Sequence, residues 1–380
     1  MMVRLGDICE IQSGGTPARS NCNYWEGGTI PWVKISDIKG KHLNKTEEFI
    51  TESGLRSSSA KIFPKGTILY TIFATLGETC ILDIDAATNQ AIAGLTIKSN
   101  NISQKYLYYY LLSLKSTVNN LGRGVAQNNI NMGILRNISV PLPPFDEQCH
   151  IAIVLDKVSV LLTKCRQQLD KLDELVKSRF IEMFGQGSYP RHALIELITE
   201  GAGLSYGIVQ PGDDGTGDMG VLRPVDLVDG GISTAAIKYI DRSIGDGFKK
   251  TELTGDELLI TVRGTTGITA LTDVRFKNMN VTRGIAVIRY DRNKINPAYL
   301  NAYLNTDESQ RYIREHTRGA TLQQINLADL RTLEILMPSR ILQEKFAAFV
   351  AQTDKSKLAI QKSLEKLEIL KKSLMQKYFG

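Results

Sequence analysis

The side chains that could do chemistry are scattered along this chain rather than gathered at catalytic spacing. Its five cysteines, Cys9, Cys22, Cys80, Cys149 and Cys165, include no Cys-x-x-Cys pair. Their odd number and dispersion predict reduced thiols in a cytoplasmic protein. None of the four histidines, His42, His150, His192 and His316, has a histidine or cysteine partner at helical spacing. No metal site is therefore expected. Gly215–Gly220 spells G-x-G-x-x-G, but no strand precedes it, and Asp213, Asp214 and Asp218 would repel a phosphate. It reads as a flexible loop. The chain has no phosphate-cradling G-x-x-x-x-G-K-[ST], no Glu-x-Lys triplet of the metal-dependent nuclease kind and no H-E-x-x-H.

Leu142-Pro143-Pro144-Phe145 comes near the Asp/Asn-Pro-Pro-Tyr/Phe signature with which amino-methyltransferases hold a target amino group. That chemistry needs a hydrogen-bond acceptor at the first position, and Leu142 has none. The matching place later in the chain reads Met337-Pro338-Ser339-Arg340. Both prolines read instead as a helix-entry turn. No catalytic residue is expected.

What remains is non-covalent recognition. A net charge of +6 is compatible with a polyanionic partner without demanding one. Glycine-rich and polar loops carry donors suited to phosphates and base edges. In the first half these are Ser13, Gly15, Thr16, Lys34, Thr75, Gln90, Arg123, Gln127 and Asn128. In the second half they are Arg223, Arg263, Thr265, Arg283, Arg318, Thr321 and Gln323. Arg123-Gly124 and Arg318-Gly319 occupy matched positions, which favours them as phosphate contacts.

Those matched positions belong to a repeat. Gly124–Gly185 aligns with Gly319–Gly380 without a gap, pairing Ile130 with Ile325, Asn131 with Asn326, Arg136 with Arg331, Pro143 with Pro338 and Gln148 with Gln343. Upstream the likeness is looser. Lys65–Gly77 resembles Gly255–Gly267, Ile102–Ser113 resembles Ile295–Thr306, and Trp32–Ile38 faces Val221–Leu227 with a shared aspartate. The chain reads as a duplication whose tails stayed alike while its globular parts diverged.

The globular parts mix β-branched, apolar strands (Thr67–Phe73, Ala91–Ile97, Leu258–Val262, Gly284–Tyr290) with short helices at Gln104–Leu114 and Pro297–Leu304. The tails repeat apolar residues every three or four positions, as a coiled-coil seam does. The first seam runs through Ile151, Val154, Val158, Leu161, Leu169, Leu172 and Val176, and the second through Phe346, Phe349, Ile360, Leu364 and Leu367. The expected fold is α+β. Two globular α/β domains (1–143 and 186–338) are separated by two long antiparallel helices (144–185 and 339–380) in a coiled coil, with an internal pseudo-twofold repeat. No apolar run approaches the ~18 residues that a membrane span requires, and the first ten residues lack a signal-peptide pattern.

Leu5-Gly6-Asp7, Gly14-Gly15-Thr16-Pro17 and Ile30–Ile38 resemble the first target-recognition domain of a type I restriction–modification specificity subunit. Ile138–Gln148, followed by a long helix, resembles that family's central spacer. The resemblance implies a subunit without catalysis of its own. Each recognition domain would read one half of a bipartite site on double-stranded DNA, and the helices would fix the gap. Two methylation subunits would dock on it, and two restriction subunits would join. S-adenosylmethionine, ATP and Mg2+ would bind those partners rather than this chain. In the second domain Leu204–Gln210 replaces the Gly-Gly-Thr-Pro loop, which fits two unlike half-sites. The competing readings are a stand-alone two-headed DNA-binding regulator and a methyltransferase in its own right.

Overall fold

A computed structural model describes residues 1–115, 130–210, 212, 217–228, 231–320 and 322–380. The chain divides into two compact units, Met1–Cys165 with Ser363–Gly380, and Arg166–Lys362. These units do not follow the sequence repeat. The division cuts both long helices, Phe145–Phe184 and Arg340–Phe379, so each unit holds one α+β head and part of each helix.

In unit 1 a five-stranded sheet runs in the order Cys9–Ser13, Ile92–Ile97, Ile68–Thr71, Thr79–Leu82, His42–Leu43. A four-stranded sheet runs Glu48–Ile50, Ile30–Val33, Ala86–Thr88, Ile62–Phe63. The hairpin Ile68–Thr71/Thr79–Leu82 is buried on both faces, as its unbroken apolar and β-branched run requires. Gly77, at φ +81°, closes it by donating to Thr71 O at 3.0 Å, and Thr71 Oγ1 accepts from Glu78 N at 2.9 Å. The helix Gln104–Ser113 buries Tyr106, Tyr108, Tyr109 and Tyr110 against this sheet. The first long helix adds Ile151 and Leu155 to the same core, and the end of the second adds Leu374, Met375, Tyr378 and Phe379.

Unit 2 is built on the same bonds. Its four-stranded sheet runs Ser205–Tyr206, Ile285–Ile288, Leu258–Thr261, Thr269–Leu271, and a three-stranded sheet runs Lys238–Ile240, Met219–Leu222, Asn280–Val281. Gly267, at φ +91°, donates to Thr261 O at 2.9 Å, and Thr261 Oγ1 accepts from Ile268 N at 2.9 Å. Tyr299 donates to Leu336 O at 2.7 Å, as Tyr106 does to Pro141 O at 2.9 Å. Arg331 donates to Leu204 O at 3.3 Å, as Arg136 does to Ile11 O at 3.2 Å.

A buried glutamine ties each long helix to its head. Gln148 accepts from Ser103 N and donates to Asn101 O and Pro143 O, each at 2.9 Å. Gln343 accepts from Asn296 N at 2.9 Å and donates to Pro338 O at 3.0 Å. Burial makes such bonds costly to break, so each glutamine fixes where its helix leaves the head.

Within unit 2 the helices run antiparallel. Asp173 pairs with Lys357, the Arg179 guanidinium lies 5.8 Å from the Phe349 ring centroid, and Phe180 and Phe346 meet edge to face at 5.4 Å. As one residue number rises, its partner's falls. The expected first seam needs one correction. Leu161 is 47% exposed, whereas Leu162 is 5% exposed and Leu155 fully buried. Ile151 and Leu155 pack in the cluster of the tyrosine helix, and the buried stripe there follows 151, 155, 158, 162.

Candidate nucleic-acid interface

In each head the candidate donors flank a parallel strand pair, and the strand register matches the two heads position by position. In unit 1 Val33 stands opposite Thr88, and Asn89 N donates to Val33 O at 3.1 Å. In unit 2 Leu222 stands opposite Val281, and Thr282 N donates to Leu222 O at 2.8 Å. Lys34 therefore corresponds to Arg223, and Gln90 to Arg283. Beside these pairs, Ile72 N donates to Ala91 O and Val262 N to Gly284 O, each at 2.8 Å. The shared aspartates act alike: Asp37 accepts from Lys34 N, and Asp226 from Arg223 N, each at 2.8 Å.

The unlike loops share one backbone. Gly15 N donates to Thr88 O at 2.8 Å, and Ile208 N to Val281 O at 2.8 Å. That places Gly14 level with Gly207. A Cβ on Gly14 would stand 2.3 Å from Thr88 O, and one on Gly207 1.9 Å from Val281 O. Neither position has room for a side chain. The divergence of Leu204–Gln210 thus keeps the close approach while changing the residues around it.

The unit 1 surface is internally neutralised. Lys34 Nζ lies 3.1 Å from Glu47 and 2.9 Å from Glu48. Arg19 also pairs with Glu48, and its guanidinium lies 3.7 Å from the Trp25 ring centroid and 4.7 Å from that of Trp32. Trp32 in turn donates to Gly15 O at 3.0 Å. The bonds to Glu48 and Glu47 raise the Lys34 ammonium above its ordinary range, so it stays charged. Burial opposes ionisation of Glu48, but Arg19 and Lys34 hold its carboxyl below the usual range. Thr16 donates to Gln90 Oε1. Ser13 ends its strand half-buried, while Thr75 is exposed in the hairpin turn.

Unit 2 gathers arginines. Arg223 grips Asp226 with two nitrogens, at 3.1 and 3.0 Å, and donates to Ala236 O at 2.6 Å. Arg263 donates to Gln324 Oε1 at 2.6 Å. Arg318 and Gln324 exchange backbone bonds of 2.8 Å, and Gly264 N donates to Gln323 O at 2.9 Å. The structure therefore brings Arg263, Arg318 and Gln323 together, with Thr265 exposed at the adjoining turn. Arg283 follows the parallel strand pair, beside Gly284. A Cβ on Gly284 would meet Pro224 Cγ at 2.5 Å, which places that backbone against the residue after Arg223. Arg123, Gln127, Asn128 and Thr321 lie outside the described residues. Among the described residues no cluster of metal ligands occurs, and no helix is long and apolar enough to cross a membrane.

Two candidate-bearing heads on one frame have a counterpart among known families. A family model described as the type I restriction modification DNA specificity domain matches residues 1–173 and again 217–371. The chain belongs to the type I restriction modification DNA specificity family.

A relative in this family, the type I restriction enzyme MjaIX specificity subunit of Methanocaldococcus jannaschii, is 31% identical over 47% of this chain and 43% of its own length. The EcoBI specificity subunit of Escherichia coli is 21% identical over the whole of this chain and 85% of its own length. The chain thus aligns with less than half of the first relative. In fold it is similar to the type I restriction–modification S subunit of M. genitalium, with a TM-score of 0.58 at 15% identity, covering 100% of this chain and 96% of that one. A chain from a structure of the type I R-M system gives a TM-score of 0.55 at 17% identity, covering 100% and 97%.

Sequence reasoning missed two features of this family member's heads. The first is the Gly14/Gly207 correspondence, because only a hydrogen-bond register reveals it. The second is Asp156, on the first long helix. It receives Lys41, Lys105 at 3.1 Å and the Tyr109 hydroxyl at 2.6 Å. Burial opposes its ionisation, but those bonds hold its carboxyl below the usual range. A lone aspartate in an apolar helical stripe was the available signal.

Proposed function

We propose that this chain is the DNA-reading specificity subunit of a type I restriction–modification complex, without catalysis of its own. Each head reads one half of a bipartite site on double-stranded DNA. The two long helices form an antiparallel coiled coil that sets the gap and offers docking sites for two methylation subunits. Restriction subunits join that assembly. S-adenosylmethionine, ATP and Mg2+ bind the partners, and methyl transfer goes to adenine.

The observation that carries this reading is the recurrence of one hydrogen-bonded frame in both heads with different side chains on it. Gln90 and Arg283, or Lys34 and Arg223, stand at the same register. A duplicated frame with diverged donors suits two half-sites of unlike sequence. The specificity-family match to both halves supports the same assignment. Forty-residue helices, at about 1.5 Å rise per residue, supply a spacer of about 60 Å.

Genome-wide mapping of N6-methyladenine in the host, with and without the gene for this chain, tests the proposal. A single bipartite motif should lose methylation when the chain is absent. Methyl transfer by the purified chain alone, or an unchanged methylome, would refute it.

A further inference from the structure

Unit 2 has four candidate arginines, and their surroundings separate them. The Arg223 fork is occupied by Asp226 and Ala236 O. Arg263 is held by Gln324. Arg318 has no side-chain partner among the described residues either, but it lies exposed in a loop, whereas Arg283 is half-buried. Arg283 is different. Among the described residues nothing accepts from its guanidinium, although its backbone is tightly fixed. Its amide donates to Ile208 O at 2.8 Å, Thr282 N before it donates to Leu222 O at 2.8 Å, and Gly284 O after it accepts from Val262 N at 2.8 Å. Gly284 has no room to shift, because Pro224 fills the space where a Cβ would go.

A fixed backbone carrying an unpaired planar fork is pre-organised for a bidentate acceptor. In the major groove that acceptor is guanine, through O6 and N7. In unit 1 the same register holds Gln90. Thr16 donates to its Oε1, which keeps a second lone pair, and among the described residues nothing accepts from its amide NH2. An amide oriented in this way accepts from adenine N6 and donates to N7.

We infer that Arg283 and Gln90 are equivalent base-reading positions, with Arg283 selecting a guanine in one half-site and Gln90 an adenine in the other. The inference rests on the two-head reading proposed above. It adds which residue reads, and which base it reads.

The test is selection of a randomised DNA duplex library by the full chain assembled with its methylation partner. Wild type, Arg283→Gln, Arg283→Lys and Gln90→Arg are compared, with thermal melts confirming that each variant folds. Arg283→Gln should move one position of one half-site from G·C toward A·T, and Arg283→Lys, which lacks the fork, should weaken the preference for G·C there, by roughly ten- to a hundredfold. The second half-site should not change. Gln90→Arg should move one position of the other half-site from A·T toward G·C. If both Arg283 variants keep every base preference, or Arg283→Gln only weakens binding uniformly, Arg283 contacts backbone and the inference fails while the two-head reading stands. If wild type enriches no bipartite motif, that reading fails, and this inference with it.

Discussion

The two heads share a backbone and differ in how they hold charge. In unit 1 the cations are countered on the surface: Lys34 by Glu47 and Glu48, Arg19 by Glu48 and two tryptophan faces. In unit 2 the frame is charged inside as well. Glu257 is fully buried and accepts from Thr254 N, Thr254 Oγ1, Gly255 N, Asp256 N and Thr272 Oγ1, at 2.7 to 3.1 Å. At the matching strand position unit 1 has the neutral Thr67, since Thr67 O accepts from Leu82 N as Glu257 O accepts from Thr272 N. The lesson is that backbone register persists through a change that swaps a hydroxyl for a carboxylate. Side-chain chemistry is then free to vary around it.

The largest expected effect tests whether the frame is shared. Gly14→Ala and Gly207→Ala each force a Cβ into a backbone carbonyl, so each should cost about 3 kcal/mol or more in denaturant unfolding. Tolerance of one and collapse of the other would break the equivalence. Next come the two glutamines. Gln148→Ala and Gln343→Ala each leave a buried amide without an acceptor, at about 2–3 kcal/mol. Gln148 makes three bonds and Gln343 two, so the unit 1 variant should lose more. Equal losses would mean that the extra bond contributes nothing.

Glu257→Gln sharpens the contrast in charge. Burial opposes ionisation of Glu257, yet the bonds from Thr254, Thr272 and the backbone hold its carboxyl below the ordinary 4.5. A depressed folded-state pKa contributes stability that is fully present above the unfolded value and lost as pH falls through the folded one. The variant should therefore melt lower than wild type at pH 7, by about 2 kcal/mol. The gap should narrow below pH 4.5, measured by calorimetry. A pH-independent gap would mean that the ionised form is not what the frame binds.

The smallest effect concerns the hairpin tips. Ala74 has φ +62° where unit 2 has Gly264 at φ +76°. Left-handed backbone costs alanine about 1 kcal/mol relative to glycine. Ala74→Gly should be neutral or raise stability by up to about 1 kcal/mol, and Gly264→Ala should lower it by a similar amount. Thermal melts of both variants would detect a reversed order.

The tails were legible in sequence because their spacing of three and four residues survives any exchange of apolar side chains. Leu161 was misplaced because the spacing gives a stripe without saying what it faces. Leu155 packs in one cluster with a tyrosine helix that only the fold brings near, and Leu162 is buried in Leu161's place. The recognition loops were legible as donors but not as partners. Arg223 read as a donor for DNA, but its partner Asp226, three residues on, was not named. Gly207 was hidden because the common feature is excluded volume, while the letters around it differ. Antiparallel pairing of the tails implied that the last residues return to the first head, as they do; where each unit ends within the helices was illegible, because a duplication shows which segments are alike, not which pack together.

Separate reading by the two heads is the property on which the proposed function depends. Its most direct test is to replace residues 190–318 with the corresponding segment of another specificity subunit and map N6-methyladenine genome-wide. The expected result is a new bipartite motif in which one half-site has changed and the other is retained, with the gap unaltered. A change in both half-sites, or in the gap alone, would contradict it.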